Sequence, residues 1–220
     1  MSHSTLLALQ SLLAHINDSP IGHRVTDFLI DDADQCGALL GRQLTPDEDE
    51  QVLICETESG AAVSVYIDDR VMTRLARHDP LHSLSDANLA AFCTAVEGIS
   101  HFQYLIWCLD HARQVSLLEL ELQAEVDKYA AATWLLLQQA RGRFHPGLHR
   151  RLFAQVGFLP TLDEDGRQRY REANHSAARF CRRNDERFLS CRQPKMERWL
   201  GELRNLFRCG HHEKLRRALH

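Results

Sequence analysis

Apolar side chains recur at helical spacing along most of the chain. Between residues 4 and 17 the leucines and Ile16 cover one broad face, which predicts an amphipathic helix. A second helix is predicted from about Val25 to Leu40, with Gly41 as its C-terminal stop. Further helices are predicted over about 69–77, 148–156, 167–189 and 194–208.

A stretch of different periodicity lies between the second and third of these helices. From Ala61 to Ile67, valine and isoleucine alternate with other side chains, which predicts a β-strand. Residues 51–55 also have the composition of a strand, and a loop over residues 57–60 would join the two as a hairpin. Because an isolated hairpin is marginally stable in water, we expect it to pack on helices or to join the sheet of a partner.

The two longest helices are predicted over about 86–111 and 117–139. Ser116 and Glu119 form a capping box at the start of the second one. Because the connection between the two helices is short, we expect them to pack antiparallel. The sequence therefore predicts a mainly α fold with a small β-hairpin, an α+β protein whose helical core is built on this long antiparallel helix pair.

The charged residues divide the chain into an acidic and a basic part. Residues 1–140 carry 7 Lys and Arg against 21 Asp and Glu, a net charge of −14. Residues 141–220 carry 19 Lys and Arg against 9 Asp and Glu, a net charge of +10, and the two parts sum to −4. This division fits a basic face for phosphates, an acidic partner, or a match between the two parts. We predict three regions packed as one compact unit: an acidic N-terminal α/β-hairpin region (1–80), a central helical core (81–158) and a basic C-terminal helical region (167–220).

The seven cysteines are odd in number and include no C-x-x-C pair, which argues against a disulfide framework and a zinc ribbon. No Lys or Arg precedes the first apolar stretch, which argues against a secretory signal, and no run of 18 apolar residues predicts a membrane span. We therefore expect reduced thiols and a cytoplasmic location. Cys209, His211 and His212, with Cys191 upstream, have the side chains of metal ligands, but their spacing matches no standard zinc finger.

The helix predicted over 86–111 has a polar face that is nearly free of charge. Cysteine, serine, histidine and tyrosine side chains lie there with a single carboxylate, whereas a solvated face normally carries several charges. We predict that this face lines a groove or packs against another helix. The residues assigned to this polar groove are Cys93, Ser100, Tyr104, Cys108 and His111, together with Lys128 of the following helix.

Four side chains of the long helices are candidate ligands of a divalent metal. Glu97 and His101 stand four residues apart, as do Glu121 and Glu125, so each pair shares one face of its helix. A carboxylate and histidine set between two helices can hold such an ion. Antiparallel packing is expected to bring Glu125 closer than Glu121 to the first pair.

A structural explanation of the same residues needs no metal. Glu97 would pair with Lys128, His101 would bond to a nearby tyrosine or carbonyl, and the other glutamates would be solvated. The spacing matches neither the E-x-x-H pattern of di-iron bundles nor the H-E-x-x-H pattern of zinc proteases.

Three arginines of the predicted helix over 167–189 recur every four residues. Arg179, Arg183 and Arg187 form a basic surface that would suit nucleic acid. Acidic residues interrupt this neighbourhood, so a solvated face, or docking onto the acidic residues between 27 and 69, is favoured over phosphate binding.

The sequence contains no dinucleotide-binding, P-loop, nucleophile-elbow or protein-kinase motif. The favoured hypothesis is therefore a cytoplasmic accessory or protein-interaction protein without chemistry of its own, acting with a protein partner or by self-association and not on a membrane. The first alternative is a metal-dependent enzyme with the carboxylate and histidine site. The second alternative is nucleic-acid binding through the arginine-rich C-terminal helices.

Overall fold

Helices dominate the architecture, and a small sheet packs on one side of them. The computed structural model describes residues 2–30, 32–45, 47–57, 60–140, 142, 145, 147–154, 163–190 and 193–219. The predicted fold class, mainly α with a small β component, is confirmed. In chain order the elements are α1 (Ser2–Asn17), β1 (Leu29–Ile30), α2 (Ala33–Leu40), β2 (Glu50–Thr57), β3 (Gly60–Ile67), α3 (Asp69–Arg77), α4 (Leu89–Asp110), α5 (Leu117–Gln139), α6 (Gly147–Phe153), α7 (Glu164–Phe188), α8 (Met196–Arg208) and α9 (His211–Leu219).

The prediction of a helix from Val25 to Leu40 was wrong for the first half of this range. A 3-10 turn over Val25–Asp27 leads into β1, because the carbonyl of Phe28 accepts a hydrogen bond from the Val65 amide at 2.9 Å and draws the chain into the sheet. The helix starts afresh at α2, where the Asp32 side chain accepts hydrogen bonds from two backbone amides. Gly41 ends it with φ of +67°, as predicted.

The predicted hairpin is present as β2 and β3, and β1 extends it to a three-stranded sheet. Glu50 pairs with Ile67 at one end of the antiparallel ladder and Thr57 pairs with Gly60 at the other. The middle two residues of the predicted loop lie outside the described residues. β1 pairs with β3 in parallel, so β3 is central and β2 is an edge of the sheet. Helices thus cover this small sheet instead of leaving it to stand alone.

The centre of the fold is the antiparallel pair of α4 and α5. The Ser116 side chain accepts a hydrogen bond from the Glu119 amide at 3.2 Å, so the predicted N-cap is present. α7 packs along α5, α1 crosses α4, and the sheet lies against α4. One cluster of buried apolar side chains takes members from α1, β3, α4, α5 and α8. The sheet therefore reaches the helix pair directly.

The C-terminal part adds one element beyond the predicted ones. No helix was predicted after residue 208, yet α9 is helical because Lys214 and Ala218, one turn apart, are buried against the other helices. The start of the helix predicted over 148–156 corresponds to α6, and its last two residues lie outside the described ones. None of the helices in the described ranges is long and apolar enough to cross a membrane.

Candidate metal centre

A cavity of about 470 Å³ opens where the sheet meets the helix pair. β2, α4, α5 and α7 all contribute to its wall. Acidic, basic and aromatic side chains all line that wall, and small-molecule sites typically fall in this range of volume. The lining side chains that carry charge or a hydroxyl are Arg42, Thr45, Glu48, Glu50, His101, Glu121, Arg169 and Tyr170.

A glycine lets the sheet approach α4 closely at this point. A Cβ at Gly98 would lie 3.0 Å from Glu50 Cγ and 3.2 Å from Val65 Cγ1, so a larger residue would push β2 and β3 away. The absence of a side chain at Gly98 therefore places the first residue of β2 against the neighbouring turn of α4. That turn contains His101.

His101 is the most unusual side chain of the cavity wall. Only 5% of the residue is exposed. Its Nδ1 lies 3.4 Å from Glu50 Oε1, within hydrogen-bonding distance. Its Nε2 is buried and forms no hydrogen bond with any described residue; the nearest charged atom is Glu121 Oε2 at 3.8 Å. A buried ring nitrogen without a partner is uncommon in folded proteins and calls for an explanation.

Lys128 organises the glutamates on the inner side of the same turn. Its Nζ donates to Glu97 Oε2 and to Glu125 Oε1, both at 2.8 Å. Of the two predicted positions on α5, Glu121 is therefore the one beside His101, and Glu125 is held by Lys128. The expectation that Glu125 would be the nearer carboxylate was wrong for His101, whereas Glu125 stands next to Glu97 across the shared Lys128 ammonium.

Burial and mutual charge shift the pKa of His101, Glu121, Glu50 and Glu97. Burial lowers the pKa of His101, but the hydrogen bond to Glu50 and the charges of the surrounding glutamates outweigh it and raise that pKa to about 9. Burial raises the pKa of Glu121 to about 7 against the opposing charge of His101, and it also raises the pKa of Glu50. For Glu97, burial raises the pKa, but the charges of Lys128 and His101 and the hydrogen bond from Lys128 together outweigh it and lower that pKa. The pocket therefore concentrates carboxylates around one imidazole.

Three of these side chains are arranged so that one ion could contact them all. One ligand atom from each of Glu97, His101 and Glu121 lies within 4.8 Å of the others. Ligands of a first-row metal sit about 2.1 Å from the ion, so small side-chain rotations would close the group around it. We call Glu50, Glu97, His101 and Glu121 the cavity cluster.

The side chains predicted to form a polar groove lie in several different surroundings. Ser100 donates to Asp127 at 2.6 Å between the helices, and Tyr104 and Cys108 are buried. His111 is exposed and stacks on Trp107 with ring centroids 4.3 Å apart. Cys93 is half-buried, and burial raises the pKa of its thiol to about 12, which keeps it protonated. Among the six, Lys128 contacts the cavity cluster through its hydrogen bond to Glu97.

The remaining predicted sites show local structural contacts. His211 Nδ1 lies 2.8 Å from the Ser116 hydroxyl, and Cys191 is outside the described residues. Arg183 donates to the backbone carbonyl of Arg217, and its guanidinium stacks on Phe180. Arg179 and Arg187 are exposed, and the guanidinium of Arg187 stacks on Phe188. One link between the acidic and basic parts is a pair between Arg208 and Asp18 at 2.5 Å.

Sequence reasoning missed most of the charged and hydroxyl-bearing residues of the cavity wall, including Glu50, Arg169 and Tyr170. Glu50 lies at the start of β2, and Arg169 and Tyr170 lie on α7, far from the predicted helix pair in sequence. No local pattern distinguishes these three from other charged or aromatic residues.

Comparisons of this chain with protein families, with curated proteins and with solved structures found no match.

Proposed function

We propose that this chain binds a divalent first-row transition metal at the cavity cluster and uses it in a reaction on a small molecule in the cavity. The observation that carries the proposal is His101 Nε2: a buried nitrogen with no hydrogen bond among the described residues, 3.8 Å from the Glu121 carboxylate. Leaving such an atom without a partner costs about 1–3 kcal/mol. A bound metal would supply the missing partner.

The neighbours of His101 match the second layer of a typical metal site. A metal-ligating histidine usually donates its other ring N–H to a carboxylate, which fixes the tautomer and the ring orientation. Glu50 stands at Nδ1, opposite the nitrogen that faces Glu121. Glu50 would therefore orient the imidazole, and Nε2 would bind the ion.

The donor set restricts which ions fit. Imidazole favours zinc, iron, nickel and copper, and carboxylates also suit manganese. Glu97 and Glu121 would supply the two oxygen ligands, and the half-buried Lys128 ammonium would hold Glu97 in place from its other side. Three protein ligands leave coordination positions for water or substrate.

His101 and Glu121 form part of the cavity wall, so those open positions would face the 470 Å³ space. A bound divalent ion lowers the pKa of coordinated water toward neutrality and polarises a substrate carbonyl or phosphoryl oxygen. This is the chemistry of a metal-dependent hydrolase or lyase. Because the proposed metal would face the cavity, we favour the enzyme hypothesis over the accessory-protein hypothesis.

The accessory-protein hypothesis stays a prediction, together with the cytoplasmic location and the protein partner. One observation favours it: β2 is an edge strand, and Ile54 on that strand is 49% exposed. Nucleic-acid binding through the arginine-rich helices also stays a prediction.

Metal content tests the proposal. Untagged protein prepared without chelators is dialysed against Mn²⁺, Co²⁺ or Zn²⁺ and measured by elemental mass spectrometry. We expect about one equivalent per chain for at least one ion, lost in His101→Ala and kept in His111→Ala, which changes an exposed histidine at the end of the same helix. Glu50→Gln is expected to weaken binding by about 10- to 100-fold, as for other second-layer carboxylates.

A circular dichroism melt of each variant separates metal loss from unfolding. A folded wild-type chain that takes up none of these ions contradicts the proposal. So does a folded His101→Ala variant that retains the metal.

A further inference from the structure

Two arginines line the cavity, and their surroundings differ. The Arg42 guanidinium is occupied by Glu48: Nη1 and Nη2 donate to the two carboxylate oxygens at 3.0 and 2.6 Å. The Nε atom of Arg169 is buried and has no hydrogen-bond partner in the described part of the chain. The guanidinium of Arg42 is therefore occupied by a structural ion pair. The Nε–H of Arg169 donates to no acceptor among the described residues.

Helix α7 brings Arg169 to the cavity. The next residue, Tyr170, also lines it, and the pKa of its hydroxyl is raised by burial and then by the charges of Glu121, Glu97 and Glu50. The Tyr170 hydroxyl therefore stays protonated and can donate a hydrogen bond. Two potential hydrogen-bond donors, Arg169 and Tyr170, thus line the cavity from α7. His101 and Glu121 line it from α4 and α5.

Guanidinium is the side chain best suited to planar oxyanions. Its rigid fork can donate two parallel hydrogen bonds to a carboxylate or a phosphate, which a lysine ammonium cannot reproduce. A group with a negative charge would also be attracted by a divalent ion at the cavity cluster. The volume of about 470 Å³ admits a small molecule but no folded partner.

We propose that the substrate of this cavity is a small molecule with a carboxylate or phosphate group, and that Arg169 binds this group while the metal holds the reacting end. The inference rests on the proposed function and adds the substrate class and a specificity-determining residue. Tyr170 donates a second hydrogen bond to the same oxyanion.

Binding of simple oxyanions tests the inference. Inorganic phosphate and malonate are titrated into wild-type protein by isothermal calorimetry, with and without the metal that the elemental analysis identifies. Arg169→Gln is expected to weaken binding of at least one anion by about 10- to 100-fold, the effect of losing a charge-assisted hydrogen bond. Arg169→Lys keeps the charge and is expected to restore only part of the affinity, because the fork is lost.

Arg171→Gln is the matched control. Arg171 is two residues further along α7, is exposed and pairs with Glu164 at 3.3 Å, outside the cavity wall. Its substitution is expected to leave anion affinity unchanged. The metal content of Arg169→Gln is expected to equal that of wild type, since Arg169 is not among the ligands.

The outcomes separate the two proposals. If metal binds but neither anion does, or if Arg169→Gln and Arg171→Gln bind anions equally well, the substrate inference is overturned and the metal site stands. If no metal binds but an anion binds in a manner that depends on Arg169, the metal proposal fails and the oxyanion site is supported.

Discussion

Two buried polar clusters share the interface between α4 and α5, and they differ in how their hydrogen bonds are satisfied. The first is the cavity cluster. The second lies one turn further along α4, where Lys214 of α9 donates to Tyr104 Oη and to Gln123 Oε1, both at 2.7 Å. In the same cluster Asp127 accepts from Ser100, Asn17 and Gln123 at 2.6 to 3.0 Å. We call this second group the closed cluster.

In the closed cluster each of these donors reaches an acceptor. Among the described residues in and beside this cluster, two unmatched atoms are the acceptors Asn17 Oδ1 and Glu119 Oε2. In each case the other polar atom of the same amide or carboxylate forms a hydrogen bond: Asn17 Nδ2 to Asp127, and Glu119 Oε1 from Tyr104. The cavity cluster instead leaves the imidazole Nε2 of His101 unmatched beside a carboxylate. A network that satisfies its donors stabilises and fixes a core, whereas an unmatched atom at a cavity wall is consistent with the proposed metal site. The contrast therefore lies between a hydrogen-bonded cluster and one with an open nitrogen, on a single helix pair.

The largest expected effect compares one carboxylate from each cluster. Asp127→Ala leaves three buried donors without an acceptor and is expected to lower the free energy of unfolding by about 3–5 kcal/mol, the usual cost of removing one member of a buried charged network. Glu121→Ala removes a buried carboxylate that lies 3.8 Å from His101 and whose ionised form is already disfavoured by burial and by the charges of Glu97 and Glu50, so it is expected to cost much less in metal-free protein. Urea titrations measure both. Equal losses of unfolding free energy in the two variants would contradict the distinction between the two clusters.

A smaller effect is expected where the sheet meets the cavity cluster. Gly98→Ala forces a Cβ against Glu50 and Val65 and is expected to cost about 1–3 kcal/mol. It should also weaken metal binding, because Glu50 moves away from His101. Gly201→Ala in α8 is the control: a Cβ there meets nothing within 4 Å, so it is expected to stabilise by about 0.5–1 kcal/mol. Thermal melts and metal titrations of both variants check this, and unchanged metal affinity in Gly98→Ala would argue against a role for Glu50.

The last expected effect is a pH dependence of the closed cluster, which is modest per pH unit but accumulates over the titration range. Burial lowers the pKa of Lys214 to about 7 from 10.5, although the charges of Glu119 and Asp127 oppose this and that of Arg113 adds to it. Between about pH 7 and 10.5 the unfolded chain therefore binds a proton that the folded chain has released. Stability from this group rises with pH across that window, by at most about 1.4 kcal/mol per pH unit.

Lys214→Met removes the titrating group while keeping an unbranched side chain. The difference in unfolding free energy between wild type and this variant is expected to change between pH 7 and 10 in favour of wild type. Subtracting the variant cancels groups that titrate in both proteins. A difference that stays constant with pH would show that Lys214 keeps an ordinary pKa.

The predicted part of the cavity cluster and the missed part have different physical origins. Glu97 and His101 were candidates because four residues in a helix bring two side chains to one face. Glu121 follows from the same rule on the next helix, but its position nearer than Glu125 depends on Lys128, which binds Glu125. Glu50 and Arg169 arrive from a strand and a third helix, and no periodicity along the chain relates them to His101.

The helix predicted over 25–40 illustrates the same limit. Its second half forms as α2 because Asp32 and Gly41 provide local start and stop signals. Its first half pairs with β3, which lies more than 30 residues away. Local propensity is a weak term that one tertiary hydrogen-bond ladder can override.

The sequence by itself determined the elements with strong local signals: the long helix pair, its capping serine, the hairpin and the division of charge. These depend on backbone hydrogen bonds and on apolar periodicity within about 20 residues. The tertiary structure decided which polar groups are buried together, which of them are satisfied and where a cavity remains. Those outcomes depend on the close approach allowed at Gly98 and on the docking of α7 and α9, because desolvation and hydrogen bonding act between whichever atoms the packing brings into contact.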